Sequence, residues 1–176
     1  MKRLTVRGRS RRRGSPFVAA VALVVIAGLF IAYVSGALAT PPSGVTVTPL
    51  APVAQFDEIK ANAKSGDWKA KIETKGLSDV HVVQVTIQPG GTLGWHSHLG
   101  PSFVIVKSGA ATFYEGDDPT CTPHVIPTGS SLFEPAGDVH IVRNEGSVDL
   151  VNVVVQLIPT GAPRLISEPS PGNCPF

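Results

Sequence analysis

Three of the five histidines in this chain have a spacing that could hold a metal ion. His96 and His98 lie two residues apart, and alternate residues of a β-strand point to the same face of a sheet. His140 follows the turn sequence at residues 135–137, and a neighbouring strand could bring it beside the pair. Three neutral imidazoles suit Fe, Zn, Mn, Ni or Cu. The spacing therefore predicts one divalent metal ion held by His96, His98 and His140.

Glycines, a proline and an asparagine stand at fixed distances from these histidines. One pattern, Gly-x5-His-x-His-x3-Glu-x6-Gly, is matched except at its glutamate by Gly90, His96, His98 and Gly109. A second pattern, Gly-x5-Pro-x-Gly-x2-His-x3-Asn, is matched at every position by Gly129, Pro135, Gly137, His140 and Asn144. Chance would produce the second match in on the order of one in ten thousand sequences of this composition, so it is informative.

Together the two patterns make residues 80–158 resemble the cupin superfamily, specifically its small single-domain members. The resemblance implies an all-β fold, the double-stranded β-helix or jelly-roll barrel, with the metal held at the barrel mouth. It implies that the glycines of the patterns lie in turns and that Pro135 and Asn144 have structural roles. By the same analogy a homodimer is the expected assembly, with a small molecule as ligand or substrate.

Ser102 stands where the resemblance would place a metal-binding carboxylate. No acidic residue occurs between His98 and Glu115, and a serine hydroxyl is a poor ligand for these ions. We therefore expect three protein nitrogens with open positions for water or substrate. Glu134, next to Pro135, is interpreted as a turn carboxylate and not as a replacement ligand.

Two functions of different kinds fit this site. One is a metal-dependent enzyme, similar to the three-histidine thiol and diketone dioxygenases among the cupins, acting on a small organic molecule. The other is a non-catalytic module that binds a metal or small ligand, because the sequence offers no general base or nucleophile beyond the metal. A third interpretation leaves the histidines without metal. Arg143 could bind an anionic substrate or pair with a nearby acid.

The elements that must position these residues are short strands. Apolar runs of strand length alternate with turn sequences rich in glycine, proline and asparagine, which is typical of a sandwich or barrel. The predicted strands are residues 68–74, 80–88, 93–98, 103–107, 111–114, 124–126, 131–133, 139–143 and 148–158. Residues 57–65 are predicted as one short helix, because acids open the segment and lysine lies towards its end. The predicted core includes Trp95, Phe103, Phe113, Tyr114 and Phe133, while His81 and His124 are interpreted as ordinary strand residues.

Charge divides the chain into a basic start and an acidic remainder. Seven of the fifteen basic residues fall within residues 1–13, which leaves eight basic against thirteen acidic residues afterwards. The predicted domain thus lacks the basic surface that nucleic-acid binding needs. We predict a basic cytoplasmic tail at 1–16, a transmembrane anchor or signal segment at 17–38, a Pro/Thr-rich spacer at 39–55 and the barrel domain at 56–176.

The basic flank predicts that everything after residue 38 is exported. The domain would then be anchored to the cell membrane by a single span on the extracytoplasmic side, or secreted if the signal is cleaved near residues 37–39. A twin-arginine signal is a further alternative for the start of the segment. In an oxidising compartment Cys121 and Cys174 are expected to form a disulfide, the alternative being two unpaired thiols.

Overall fold

The computed structural model describes residues 39–176, so the predicted tail at 1–16 and the predicted membrane segment at 17–38 lie outside the described residues. Within residues 39–176, no helix is long and apolar enough to span a membrane. Twelve strands make up the regular structure of this part of the chain. They are β1 (Ser43–Pro49), β2 (Ala54–Phe56), β3 (Lys60–Ser65), β4 (Trp68–Glu73), β5 (Ser78–Ser97), β6 (Ser102–Ser108), β7 (Ala110–Glu115), β8 (His124–Pro127), β9 (Ser131–Glu134), β10 (His140–Arg143), β11 (Leu150–Pro159) and β12 (Ile166–Ser167).

Ten of these strands form one antiparallel sheet that curls into a nearly closed barrel. Its order is β8-β7-β10-β5-β11-β6-β9, and β1, β2 and β12 pair with further stretches of β5. The strand β5, 20 residues long, is therefore the centre of the fold. β3 and β4 form a separate hairpin. The all-β barrel expected from the sequence is confirmed.

Alternation along the strands places the core inside the barrel. In β5 the side chains of Val83, Val85 and Ile87 are buried, and across the ladder Ile87 lies opposite Leu150 of β11. Both Ile87 and Leu150 are fully buried. Because each such aliphatic side chain contributes roughly 1.5–3 kcal/mol when removed from water, this inner face holds the two halves of the sheet together.

The sequence at residues 89–91 was expected to separate two strands, and it instead bends one strand. β5 pairs with β11 as far as Ile87 and with β10 from Thr92 onwards. Gly90 sits at the bend with a φ of +76°, a conformation that favours glycine, and its amide donates to the Asn144 carbonyl at 2.8 Å. Because of this bend, β5 runs along one side of the barrel before Gly90 and along another side after it. One strand therefore carries both core residues and the histidine pair.

The predicted helix at 57–65 is wrong. Lys60–Ser65 is the strand β3, which pairs with β4 through a two-residue turn at Gly66 and Asp67. A helix of nine residues has too few hydrogen bonds to offset its nucleation cost in water. The Gly-Asp turn, with Gly66 at a φ of +59°, instead closes a local hairpin.

The predicted extended spacer is also wrong for most of its length. Ser43–Pro49 is the strand β1, paired with β5, and Val45 packs against the barrel core. The alternation of valine and threonine at residues 45–48 favours a strand, and an unpaired stretch of β5 is available to accept it. The barrel domain therefore begins earlier than residue 56.

Two of the four phenylalanine and tyrosine residues predicted for the core lie outside it. Phe113 and Tyr114 are buried, whereas Phe103 and Phe133 are about half exposed and contact each other on the outer face, with ring centroids 5.2 Å apart. β6 alternates strictly, so Ser102 and Val104 point inwards and Phe103 must point outwards.

Candidate metal centre

Strand pairing brings the three predicted histidines together. His140 of β10 lies directly opposite His96 of β5, and His98 follows two residues after His96 on the same face. The turn before His140 is held against the end of β5, because the Gly137 amide donates to the His98 carbonyl at 2.9 Å. All three imidazoles are buried, and one nitrogen from each lies within 4.8 Å of the others. These residues can hold one metal ion.

Each imidazole is fixed through its Nδ1 atom by a backbone carbonyl. The acceptors are the carbonyls of Gly94 for His96 (2.9 Å), Arg164 for His98 (2.8 Å) and Asp138 for His140 (2.9 Å). A carbonyl oxygen only accepts, so in each ring Nδ1 carries the proton and Nε2 keeps a free lone pair. Such outer contacts orient metal-binding imidazoles and set their tautomer.

The contact to His98 comes from the C-terminal segment and not from the barrel itself. Ile166 and Ser167 form β12, which pairs with Ser97 and His96 of β5. Ser97 donates to the Glu168 carboxylate at 2.7 Å. The segment is therefore held along the strand that carries the histidine pair, and this position places the Arg164 carbonyl at His98.

Glu134 is the residue that sequence reasoning missed, and its interpretation as a turn carboxylate is wrong. It is the last residue of β9 and is only 4% exposed. Its Oε2 lies 3.1 Å from His98 Nε2 and its Oε1 lies 3.4 Å from His140 Nε2. β9 pairs with β6 so that Glu134 lies directly opposite Ser102. The carboxylate absent at residue 102 is supplied from the neighbouring strand.

The contacts between Glu134 and the two imidazoles are close in distance but poor in direction. The Nε2 atoms of His98 and His140 are buried and have no hydrogen-bond partner of acceptable geometry. A neutral Nε2 atom and a carboxylate oxygen are both electron-rich, so they repel unless a cation lies between them. A metal ion fits this donor set.

The titration states also suit a metal. Burial and, to a lesser extent, the neighbouring His140 lower the pKa of His96 from 6.5 to about 3. His96 is therefore neutral at physiological pH. Burial alone would raise the pKa of Glu134, but positive charge on the facing His140 and His98 outweighs burial and brings the pKa to about 2. A cation held between these groups has the same effect on the carboxylate when the imidazoles are neutral. Metal ligands must be neutral imidazoles and ionised carboxylates. His96 and Glu134 are in these states at physiological pH.

Ser102 takes part in a buried polar chain. The residue is fully buried, and its hydroxyl accepts a hydrogen bond from Gln156 Nε2 at 2.9 Å. The Oε1 atom of Gln156 accepts from Arg164 Nε at 2.8 Å. The serine thus completes a hydrogen-bond chain beside the histidines, and its small side chain leaves the space that Glu134 fills.

A cavity of about 280 Å³ opens beside this cluster inside the barrel. His96, His98 and Glu134 line one part of it, and Gln156 and Arg164 line another. The remaining walls are mostly valine and leucine side chains. A cavity of this character admits a small, mainly apolar molecule.

Several other predicted residues lie away from the cavity. Arg143 pairs with Glu145 at 3.2 Å and lies over the ring of Phe176, which is the ion-pair interpretation and not a place in the cavity. His81 and His124 lie on strands outside the histidine cluster. Asn144 is buried and donates to the Ile87 and Val148 carbonyls, which is a structural role.

The back of the histidine strand is covered by the C-terminal tail. Cys121 and Cys174 are joined by a disulfide. Trp95, fully buried, packs in a cluster with Tyr114, Ile141 and Cys174. Its ring therefore faces away from the cavity, as alternation predicts for a residue next to His96.

Comparisons with known proteins agree with this architecture. Residues 83–156 match the Cupin domain family. No curated protein sequence matches the chain. The structure of the polyketide cyclase RemF from Streptomyces resistomycificus is 14% identical, with 76% of this chain and 80% of that chain covered and a TM-score of 0.50.

Two further solved structures are similar with lower TM-scores. A cupin-like protein from Thermotoga maritima is 23% identical, with 52% of this chain and 65% of that chain covered and a TM-score of 0.44. A protein with a double-stranded β-helix domain from Klebsiella pneumoniae is 19% identical, with 64% and 80% covered and a TM-score of 0.43.

The family match covers the same part of the chain as the strands that carry the two sequence patterns. It includes β5 from Val83, both histidine-bearing segments and β11 as far as Gln156. At 14% identity the similarity to RemF concerns the fold alone. Residues 83–156 of this chain therefore form a cupin domain.

Proposed function

We propose that this cupin domain binds one divalent transition metal through His96, His98, His140 and Glu134. The observation that carries the proposal is the convergence of three Nε2 atoms and one buried carboxylate with no directed hydrogen bond between them. Mixed nitrogen and oxygen donors suit Fe, Mn, Ni, Zn or Cu. The site expected from three nitrogens alone is thus extended by one carboxylate.

We further propose that the metal serves an enzyme that acts on a small organic molecule in the adjoining cavity. The bound ion would supply a Lewis acid next to that cavity. The protein's part is to hold the imidazoles through their carbonyl contacts, to keep Glu134 ionised and to exclude water with apolar walls. An ionised Glu134 also reduces the net charge of the site relative to three histidines alone. The analogy with three-histidine dioxygenases therefore loses its basis, and an oxygenase becomes one of several reactions to test.

A non-catalytic binding module is the second candidate, and one observation favours it. Apart from His96, His98 and Glu134, the polar side chains that line the cavity within the described residues are Asn152, Gln156 and Arg164. None of these side-chain types exchanges a proton near neutral pH, so residues 39–176 contribute no general base or acid to the cavity wall beyond the proposed metal ligands. Turnover that stops with a chelator and returns with one metal only would decide for the enzyme. Stable metal retention without turnover would decide for the binding module.

The location of the domain is also a proposal. We propose that it lies on the extracytoplasmic side, anchored by residues 17–38 or released by cleavage. The basic start of the chain and the Cys121–Cys174 disulfide support this location, because disulfides persist in oxidising compartments. The homodimer stays a prediction. Protease digestion of intact cells tests the location: loss of the domain is expected, and full protection would contradict it.

Metal content tests the proposed site. Elemental mass spectrometry on the full chain, purified without chelators or a histidine tag, is expected to find close to one metal ion per chain. The variant His96→Ala, His98→Ala should retain almost none, while His124→Ala, which removes an exposed strand histidine, should match the wild type. Equal metal content in all three proteins would reject the site.

A further inference from the structure

Arg164 reaches into the cavity from the C-terminal segment. Its backbone carbonyl accepts the Nδ1 proton of His98, and its side-chain Nε donates to the buried Gln156 at 2.8 Å. Gln156 also contacts Ser102, which faces Glu134 across the strand pair. The guanidinium group therefore lies in the same cavity as the metal donors, held at one nitrogen and on one side only.

The charge of Arg164 is not balanced by an acid. Within residues 39–176, no carboxylate lies within 4.0 Å of this side chain, and Nε is its only nitrogen with a hydrogen-bond partner. Burial lowers the pKa of the guanidinium from 12.5, but arginine stays protonated at physiological pH. The N–H groups of the two terminal guanidinium nitrogens therefore have no acceptor among the described residues. They lie in a partly buried, mostly apolar space, where an unpaired charge is costly.

Arg143 shows what a structural arginine looks like in this fold. Its Nε donates to the Glu145 carboxylate at 3.2 Å, and its guanidinium lies 4.1 Å from the Phe176 ring centroid. Both its charge and its flat face have partners. Arg164 has neither a carboxylate nor a ring, although it is the arginine that lines the cavity.

The cavity limits what can neutralise Arg164. Its volume is about 280 Å³, and its walls include Val47, Val104, Val154 and Leu165. Among the lining residues that the structure describes, Arg164 is the only lysine or arginine. One guanidinium matches one carboxylate through two parallel hydrogen bonds, whereas a phosphate dianion would need further donors that these walls do not offer. A short apolar group on the anion would fit against the valines.

We propose that Arg164 is the anion-recognition residue of this cavity and that the ligand is a small organic monocarboxylate with an apolar body. The inference rests on the proposed function, since it names the ligand class of the same metal-containing cavity. The carboxylate pairs with the terminal nitrogens of Arg164, and the apolar body lies between this arginine and the metal donors. Amides of the same shape are rejected because they carry no charge.

Calorimetric titration of the full chain tests this assignment, with benzoate and hexanoate as probes and benzamide and hexanamide as their uncharged counterparts. The wild type, loaded with zinc and with its metal content measured, should bind the acids and not the amides. Arg164→Gln should weaken acid binding by about ten- to hundredfold, the usual loss for a hydrogen bond to a charged group, and should abolish the preference for acid over amide. Arg164→Lys should restore part of both. Arg143→Gln removes the same charge outside the cavity and should behave as the wild type.

Two results would overturn the inference. One is acid binding in Arg164→Gln as strong as in the wild type; the other is absence of acid binding to the zinc-loaded wild type. A melting temperature of Arg164→Gln close to that of the wild type would show that the loss is not one of folding. If the wild type holds no metal, the proposed metal function fails on that measurement. The same titrations on the metal-free proteins then test Arg164 separately: the wild type should bind the acids more tightly than Arg164→Gln does.

Discussion

Ser102 and Glu134 are direct cross-strand partners, and both side chains point into the barrel. The sequence pattern of this superfamily leads one to expect a carboxylate at residue 102, and the structure supplies one from residue 134. Directly opposed residues on one face of an antiparallel pair have Cβ atoms only about 5 Å apart. A carboxylate can therefore reach the same point from either strand.

This relationship predicts that the carboxylate can be exchanged between the two positions. Glu134→Ser should lower metal affinity at least tenfold, because Glu134 is the only carboxylate within residues 39–176 that contacts the histidine cluster. The double variant Ser102→Glu, Glu134→Ser should recover most of that loss. Competition with a chromophoric chelator measures both affinities.

The control for the exchange is Glu145→Ser, which removes a carboxylate that pairs with Arg143 outside the cavity. It should leave metal affinity unchanged. Full metal affinity in Glu134→Ser would show that the carboxylate is not a ligand.

The register of β6 leads to a prediction about stability. Val104 is inward and 5% exposed, while Phe103 is outward and 54% exposed. Val104→Ala should lower the free energy of unfolding by roughly 1–3 kcal/mol, and Phe103→Ala by less than about 1 kcal/mol although it removes more atoms. Urea denaturation measures both. The opposite order would mean that β6 is shifted by one residue, which would also turn Ser102 away from Glu134.

The histidine cluster could be predicted from the sequence because its geometry depends mostly on local spacing. The separation of His96 from His98 fixes one face of a strand, and a matching turn precedes His140. Glu134 could not be identified in this way, because its position depends on the pairing of β9 with β6, about thirty residues away in the chain. The signal present in the sequence was an acid two residues after Leu132 on a strand whose alternate positions point inwards.

Arg164 and the first strands illustrate the same limit. Arg164 lies between β11 and the two-residue strand β12, and the pairing of Ile166 with Ser97 brings it to the cavity. The segment at 43–49 looked like a spacer because its partner, a stretch of β5, is about forty residues away. In the hairpin at 60–73 only the first strand is predicted wrongly, because the charges at 57–65 also suit a helix dipole and the pairing with β4 cannot be read from that segment alone.

The disulfide is predicted to stabilise the C-terminal segment and the metal site together. It closes a loop of 53 residues, and loss of such a bond typically costs roughly 2–5 kcal/mol. Cys121→Ser, Cys174→Ser should lower the free energy of unfolding by that amount. It should also weaken metal binding, because the segment carries the carbonyl that orients His98.

Reduction of the wild type by dithiothreitol should reproduce the lower stability of the double serine variant, and the variant itself should not respond to the reagent. Equal urea midpoints for the wild type and the variant, each with and without dithiothreitol, would contradict a stabilising role for the disulfide.

Asp118 provides a prediction about pH in the loop that precedes Cys121. Hydrogen bonds from the Thr120 hydroxyl, and from the amides of Thr122 and Thr120, hold the pKa of Asp118 well below its ordinary value of 3.8. A lowered folded pKa means that the contribution to stability is present above pH 3.8 and is lost as the pH falls below it. Asp118→Asn should therefore be less stable than the wild type at pH 5.

The difference between these two proteins should shrink as the pH is lowered from 5 towards 2, as measured by urea midpoints at each pH. The exposed carboxylate of Asp118 makes the effect a small one, so the convergence is the informative result. A difference that stays constant over this range would show that Asp118 does not titrate at a lowered pKa.

The central claim is that Glu134 joins His96, His98 and His140 around one metal ion, and anomalous diffraction from crystals of the metal-loaded protein tests it most directly. We expect a single anomalous peak inside the barrel, about 2.0–2.2 Å from the Nε2 atoms of the three histidines and from one oxygen of Glu134. A metal bound by the three histidines with Glu134 turned away, or a metal bound elsewhere, would contradict it.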